Sequence, residues 1–235
     1  MENDGKQTEE LVPSFLDPGI ALWDRVRRNI KAACRELLTD SIIHEIQRFR
    51  AYTGAERQLY LKIRALNRLA LANQKPSFAT KKARSLLFVC FGNIMRSPMC
   101  EALTSRALAE VANSQIMVAS AGLNAVPGRS AHPWAIAAAR DFGIDLENHR
   151  AKLLTIDAVN QADLIFGMDY DNQVQILSRY PQAKNKVFML GAYAGEDHRS
   201  VEIVDPYHGS LAGTRDCYTI LGACVQNLVR SLADE

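Results

Sequence analysis

Apolar positions fall into two rhythms along the chain. From Ile20 they recur at helical spacing: Trp23, Val26, Ile30, Ala33 and Leu37 share a face, with Arg25, Arg28 and Lys31 elsewhere. Asp40 or Ser41 can cap a second helix carrying Ile42, Ile43, Ile46 and Phe49. Thr53-Gly-Ala-Glu56 has the form of a capping box, in which side chain and backbone satisfy each other's orphan donors. The helix behind it presents Leu59, Ile63, Leu66 and Ala70. Residues 20–73 therefore predict an extension of three amphipathic helices. Polar residues 1–19, broken by Pro13 and Pro18, predict a disordered lead, and residues 74–84, with Pro76, Ser77 and the Lys81-Lys82 pair, predict a linker.

From Ser85 the rhythm changes. Short apolar runs at Leu86–Cys90, Ile116–Ser120, Leu164–Met168 and Val187–Leu190 alternate with helical patterns. Those patterns cover Pro98–Val111, Pro133–Phe142, Asp157–Gln161, Tyr170–Arg179 and Gly213–Leu232. Strands that are apolar throughout, separated by helices, imply parallel crossovers buried on both faces. The predicted fold of residues 85–235 is α/β: a small doubly wound four-stranded parallel sheet with flanking helices, preceded by the α-helical N-terminal region. Such a sheet carries its site at the carboxyl ends of the strands.

Charge sharpens the boundary. Residues 1–84 hold 16 Lys and Arg against 10 Asp and Glu, whereas residues 85–235 hold 12 against 16. The whole chain, at +2, points to no polyanionic partner, and its aromatic and basic residues do not interleave as a nucleic-acid stacking platform requires. The cysteines (Cys34, Cys90, Cys100, Cys217 and Cys224) are sparse, odd in number and without CxxC spacing. With no signal-like or membrane-length apolar run, they predict a reduced, cytoplasmic protein without a transmembrane segment. His44, His132, His198 and His208 show no metal spacing, and no metal or other cofactor is implied.

The chemistry concentrates at "CFGNIMRSP", residues 90–98. Cys90 ends the first strand, and Arg96 follows after five residues. That interval lets backbone N–H groups of Phe91, Gly92, Asn93, Ile94 and Met95 curl toward one centre, with Gly92 and Asn93 suited to positive φ. Ser97 and Pro98 open a helix whose N-terminus adds partial positive charge. A tetrahedral oxyanion fits that cradle, and Arg96 can hold two of its oxygens as a fork. The same field favours the thiolate of Cys90, the reactive form of a cysteine, and Ser97 can donate to it. A buried cysteine at a strand end is more often packing; the Gly-Asn turn, the Arg-Ser-Pro and the flanking strand and helix together favour a phosphate-binding loop with a nucleophile at its floor. An acid for the leaving group is offered by "IVDPYHG", residues 203–209. There Pro206 forces Asp205 into an extended conformation on a loop, and Tyr207 can line a slot for a phenyl ring.

Together "VCFGNIMRSPMCEAL" and "DPYHG" resemble the low-molecular-weight protein tyrosine phosphatase family. "SAGL" (120–123), "GIDLENHRAKLLT" (143–155) and "MDYDN" (168–172) extend the resemblance over residues 85–235, and nothing in 1–84 belongs to it. The resemblance implies that Cys90 becomes a phosphocysteine, Arg96 binds phosphate, and Ser97 steadies the thiolate. It also implies that Asn93, Ser120 and His149 brace the loop. Asp205 protonates the phenol and then activates the hydrolytic water. Val126 falls where the wall of the substrate slot lies, as in bacterial members that resemble regulators of polysaccharide export. Ile94 is similar to tyrosine-directed members, since those favouring phosphoarginine tend to carry Thr. The implied partner is a tyrosine-phosphorylated protein such as a bacterial tyrosine kinase.

Two other readings compete. Thioredoxin-coupled arsenate reductases share the loop but need a resolving cysteine pair between loop and acid, and Cys217 and Cys224 come after Asp205. A phosphoprotein-binding scaffold would not need the full set of Cys90, Arg96 and Asp205. The basic extension is read as a docking or dimerising module through residues 20–73. Met95 stands where many members carry a second cysteine that protects the nucleophile as a disulfide. Hydrogen peroxide should therefore inactivate this chain with poorer thiol recovery than a two-cysteine member. Full recovery of activity with dithiothreitol would contradict this.

Overall fold

A computed structural model of the protein describes residues 40–68, 83–111, 115–195 and 200–233. The predicted lead over 1–19, the first amphipathic helix and nearly all of the 74–84 segment lie outside those residues. The chain divides into two compact units, Met1–Ala51 and Tyr52–Glu235. In the first, α1 spans Asp40–Ala51, the second of the predicted N-terminal helices.

The second unit starts with α2, Gly54–Arg68. Its start is the predicted capping box. The Thr53 backbone N–H donates to Glu56 Oε2 at 2.8 Å, and the Glu56 N–H donates to Thr53 Oγ1 at 3.3 Å. The Thr53 N–H holds the Glu56 carboxyl below its ordinary pKa. The stripe read as Leu59, Ile63 and Leu66 is centred on Tyr60 and Ile63, both buried. It is spent within the same unit, against the helix after the third strand. The docking expectation for 20–73 thus loses the apolar face of this helix.

Four strands follow: β1 Ser85–Cys90, β2 Met117–Gly122, β3 Leu164–Gly167 and β4 Val187–Met189. All pair in parallel, in the order β2-β1-β3-β4. The helices are α3 Arg96–Ala109, α4 Pro133–Arg140, α5 Ile156–Gln161, α6 Tyr170–Arg179 and α7 Leu211–Ala233. Strand β1 shows why the sheet is doubly wound. Leu86, Phe88 and Cys90 enter the core that α3, α4 and α7 complete, while Leu87 and Val89 enter the opposite core with Val159 of α5 and Ile176 of α6. A strand buried on both faces needs apolar side chains at every position, hence the unbroken run.

The strand order reverses direction around β1 and β3. Their carboxyl ends form the switch point where ligands bind in such sheets. Cys90 is the last residue of β1, paired with Gly122 at the end of β2, and Asp169 lies just beyond β3. Helix α7 runs beneath this end, and Tyr218 sends its hydroxyl to the Met95 carbonyl at 3.1 Å. Cys100, Cys217 and Cys224 are buried core residues, and burial pushes their thiols up, to about 12 for Cys217 and Cys224. Among the described helices none is long and apolar enough to cross a membrane.

Replacing Thr53 with Ala removes the cap of α2, a change that costs about 1 kcal/mol. Amide hydrogen exchange over residues 54–60 should quicken about fivefold, the Boltzmann equivalent of that cost, with the sheet unaffected. Unchanged exchange would show that packing alone holds the helix end.

Candidate active site

Cys90 sits at the floor of a loop that closes on its sulfur. The Asn93 backbone N–H donates to Sγ at 3.3 Å, and Ser97 Oγ lies 3.0 Å from it. Asn93 is fully buried and takes φ 52°, the one positive φ in the loop. Gly92 does not share it, against expectation; a β-carbon there would only reach the Ile94 side chain at 3.4 Å. The left-handed residue is an Asn because its side chain is the hub of the loop. Its Nδ2 donates to Ser97 Oγ at 2.9 Å and Ser120 Oγ at 2.8 Å, and its Oδ1 accepts from the Lys152 N–H at 2.8 Å. With one lone pair of Ser97 Oγ engaged by Asn93, its single proton is free for the sulfur, which is nearer than the competing Ala121 carbonyl at 3.3 Å.

The expected braces converge on this hub. Ser120 receives Asn93 and donates to Glu101 Oε2 at 2.5 Å. His149 Nε2 is 2.8 Å from the Asn93 carbonyl. Burial holds the His149 pKa below its ordinary value, so the ring is neutral with Nε2 as the donor. The loop also leans on β2 through a glycine. A β-carbon on Gly122 would come within 2.8 Å of the Asn93 nitrogen and the Gly92 carbonyl carbon. "SAGL" was legible as a segment; the need for glycine there shows only when the loop is laid across it.

Arg96 opens α3 and is 1% exposed. Burial alone would favour losing its proton, but Asp169, Asp205 and Cys90 outweigh it and hold the guanidinium firmly cationic. Its Nη1 donates to Asp169 Oδ2 at 2.7 Å and to the Ile203 carbonyl at 2.9 Å, and Nη2 donates to Asp205 Oδ2 at 2.5 Å. Since Nη1 is spent on two acceptors, a two-oxygen grip on an oxyanion falls to the Nε–Nη2 edge. The resemblance through "MDYDN" implies no role for Asp169. Its signal was a carboxylate at a strand's carboxyl end, one residue before a helix. It caps α6 as well, with Oδ1 accepting from the Asn172 N–H at 2.8 Å.

Asp205 Oδ1 also accepts from the Tyr207 N–H at 3.1 Å, which fixes the turn Pro206–His208. Its side chain is 25% exposed, open enough to meet a ligand. Phe91, Val126 and Tyr207 are exposed apolar side chains on segments that surround the loop. Ile94 and Met95 point inward, 5% and 3% exposed, and contribute backbone instead. The Ile94 carbonyl accepts from the His132 N–H at 2.9 Å. The His132 ring stacks edge-on against Tyr207 at 5.5 Å, and Arg129 Nη2 lies 3.4 Å from the Tyr207 hydroxyl. His132, which shows no metal spacing in the sequence, thereby ties the loop to the turn that carries Asp205 and Tyr207. Among the described residues no cluster of His, Cys, Asp or Glu could hold a metal ion.

Such a site can bind a phosphoryl group, attack it with sulfur and protonate what leaves. A family model described as low molecular weight phosphotyrosine protein phosphatase matches residues 85–235. The chain is 37% identical over 138 residues to the "Probable low molecular weight protein-tyrosine-phosphatase EpsP" of Ralstonia nicotianae, covering 59% of this chain and 88% of that one. It is 35% identical over 150 residues to a protein-arginine-phosphatase of Bacillus subtilis, covering 64% and 95%. The crystal structure of the Erwinia amylovora tyrosine phosphatase AmsI superposes with a TM-score of 0.58 at 33% identity, covering 64% of this chain and 94% of that one.

Gly122→Ala should push the loop off β2. Calorimetric affinity for inorganic phosphate should fall about tenfold or more, in line with the 1–3 kcal/mol cost of overpacking a well-fitted core. Unaltered phosphate affinity would mean the loop does not need that close approach.

Proposed function

The chain belongs to the low molecular weight phosphotyrosine protein phosphatase family, and from that premise we propose that Cys90, Arg96 and Asp205 hydrolyse phosphotyrosine on protein substrates. The observation that carries this reading is the ion pair of Arg96 with Asp205, 2.5 Å, beside a loop closed on the Cys90 sulfur. Nucleophile, anion clamp and acid then share one pocket.

The phosphoryl group displaces Asp205 from Arg96 Nη2 and lies in the loop, its charge met by N–H groups and the guanidinium. The Cys90 thiolate attacks phosphorus as the phenolic oxygen departs, and Asp205 gives that oxygen its proton. Asp205, now a carboxylate, takes a proton from water as the water attacks the phosphocysteine. Inorganic phosphate leaves, and the thiolate returns with Ser97 donating to it. Phe91, Val126 and Tyr207 flank the aromatic ring of the substrate. No step calls for a metal, because the loop and Arg96 supply the positive charge.

The similarity of Ile94 to the residue of tyrosine-directed members supports phosphotyrosine over phosphoarginine as substrate. The substrate we assign is a tyrosine-phosphorylated protein of the cytoplasm, a bacterial tyrosine kinase that governs exopolysaccharide synthesis or export. Residues 20–51 remain the candidate docking or dimerising segment.

Cys90→Ser should abolish hydrolysis of p-nitrophenyl phosphate. Asp205→Ala should lower kcat on phenyl phosphate by about 10²–10⁴, the usual worth of general acid catalysis, and much less on p-nitrophenyl phosphate, whose leaving group needs little protonation. Equal losses on both substrates would remove Asp205 from the acid role.

A further inference from the structure

Helix α2 precedes the family match, which begins at Ser85. It packs on α6 within the same compact unit. The contact is polar and aromatic at one particular turn. The Tyr52 hydroxyl donates to Asp171 Oδ1, and Asp171 Oδ2 accepts from Gln175 Nε2 at 2.7 Å. The Tyr60 ring meets the Tyr170 ring edge-on at 6.4 Å, and the Arg64 guanidinium lies 5.7 Å from the Tyr170 centroid. Tyr52 and Tyr60 are themselves packed, with centroids 5.7 Å apart and both side chains buried.

The residue before Tyr170 is Asp169, whose Oδ2 holds Arg96 Nη1. The residue before that, Met168, accepts the Ile203 N–H on its carbonyl at 2.8 Å, and Ile203 lies two residues before Asp205. The Tyr170 N–H donates to Glu202 Oε1 at 3.1 Å. One tight turn, residues 168–171, therefore faces two ways. Its inner side fixes the phosphate-binding arginine and the acid-bearing loop. Its outer side is gripped by Tyr52 and α2. Tyr52 is buried, and Tyr170 and Asp171 are half-buried.

We propose that Tyr52 and Tyr60 are positioning residues for Arg96, acting through the Asp169–Tyr170–Asp171 turn, so that the N-terminal extension tunes phosphate affinity from outside the pocket. The mechanism is mechanical: Asp171 anchored by Tyr52 holds the first turn of α6 in register, and Asp169 at its cap then aims the guanidinium. An anchor lost there lets the carboxylate shift, and Arg96, deprived of a fixed partner, no longer waits in the orientation the oxyanion needs. The proposal rests on the phosphatase reading for its consequence in turnover, but not for its effect on anion binding.

The test uses the full chain. Tyr52→Phe removes one hydroxyl and keeps the ring. The dissociation constant for inorganic phosphate, measured by calorimetry, should rise about two- to tenfold, the range seen for couplings through a packed network. KM for p-nitrophenyl phosphate should rise by the same factor. Asp171→Asn should act in the same direction, and the double variant should be no worse than the worse single one, because both break one link. Arg215→Ala, which removes a surface ion pair between α7 and Asp141 at the end of α4, should leave phosphate affinity at the wild-type value. Wild-type phosphate affinity in both Tyr52→Phe and Asp171→Asn, with only the melting temperature lowered, would reduce α2 to a packing element and overturn the proposal. Additive losses in the double variant would overturn the Tyr52–Asp171 route. A wild-type chain that binds phosphate without hydrolysing p-nitrophenyl phosphate would sink the enzymatic reading instead, while the calorimetric comparison still decides the role of α2.

Discussion

A fully buried guanidinium is the constraint around which this molecule is arranged. Arg96 cannot shed its charge, and an uncompensated cation inside a protein is strongly destabilising. Three acceptors from distant parts of the chain meet that demand: Asp169 after β3, the Ile203 carbonyl, and Asp205. Each is fixed in turn by its own local duty. Asp169 caps α6, Ile203 is tied to Met168, and Asp205 caps the turn that carries Tyr207. Holding the arginine and shaping the pocket are thus one task. The doubly wound topology makes it feasible, since β1 and β3 lie side by side and deliver Cys90, Arg96 and Asp169 to the same edge.

Much of this was legible in the residues. Apolar runs marked the four strands to within a residue or two; in the central strands β1 and β3 burial on both faces leaves almost no position for a polar side chain, while the edge strand β2 admits Ser120 and an exposed Met117. Cys90, Arg96 and Asp205 could be singled out because their spacing and the neighbouring Gly, Asn, Ser and Pro suit a loop that cradles an oxyanion. What stayed hidden depends on contacts between segments far apart in sequence. Asp169 reads as an ordinary helix cap until Arg96 is placed beside it. The need for Gly122 arises from a loop formed some thirty residues earlier. The apolar stripe of α2 was visible, but no periodicity says whether such a stripe meets another protein or the domain that follows it.

The loop shows how little freedom a small anion site can tolerate. Asn93 accepts the left-handed backbone, which many side chains resist, and links three partners besides. Its burial removes water that would otherwise compete for those partners. The Cys90 sulfur is held by one backbone N–H and one hydroxyl that Asn93 also engages. Rigidity here comes from a saturated polar network resting on a glycine, with apolar packing from α7 beneath.

The partners of Arg96 are also far apart along the polypeptide: 109 residues separate it from Asp205. Proteins emerge from the ribosome starting at the N-terminus. The segment 90–96 is therefore synthesised long before its last partners, Asp205 and the Tyr218 that holds the Met95 carbonyl. A nascent chain that stops short of residue 205 carries an arginine lacking one of its counter-charges. The loop's full set of contacts is thus available only once the final helix has been made, and a prematurely terminated product lacks part of what holds the arginine in place.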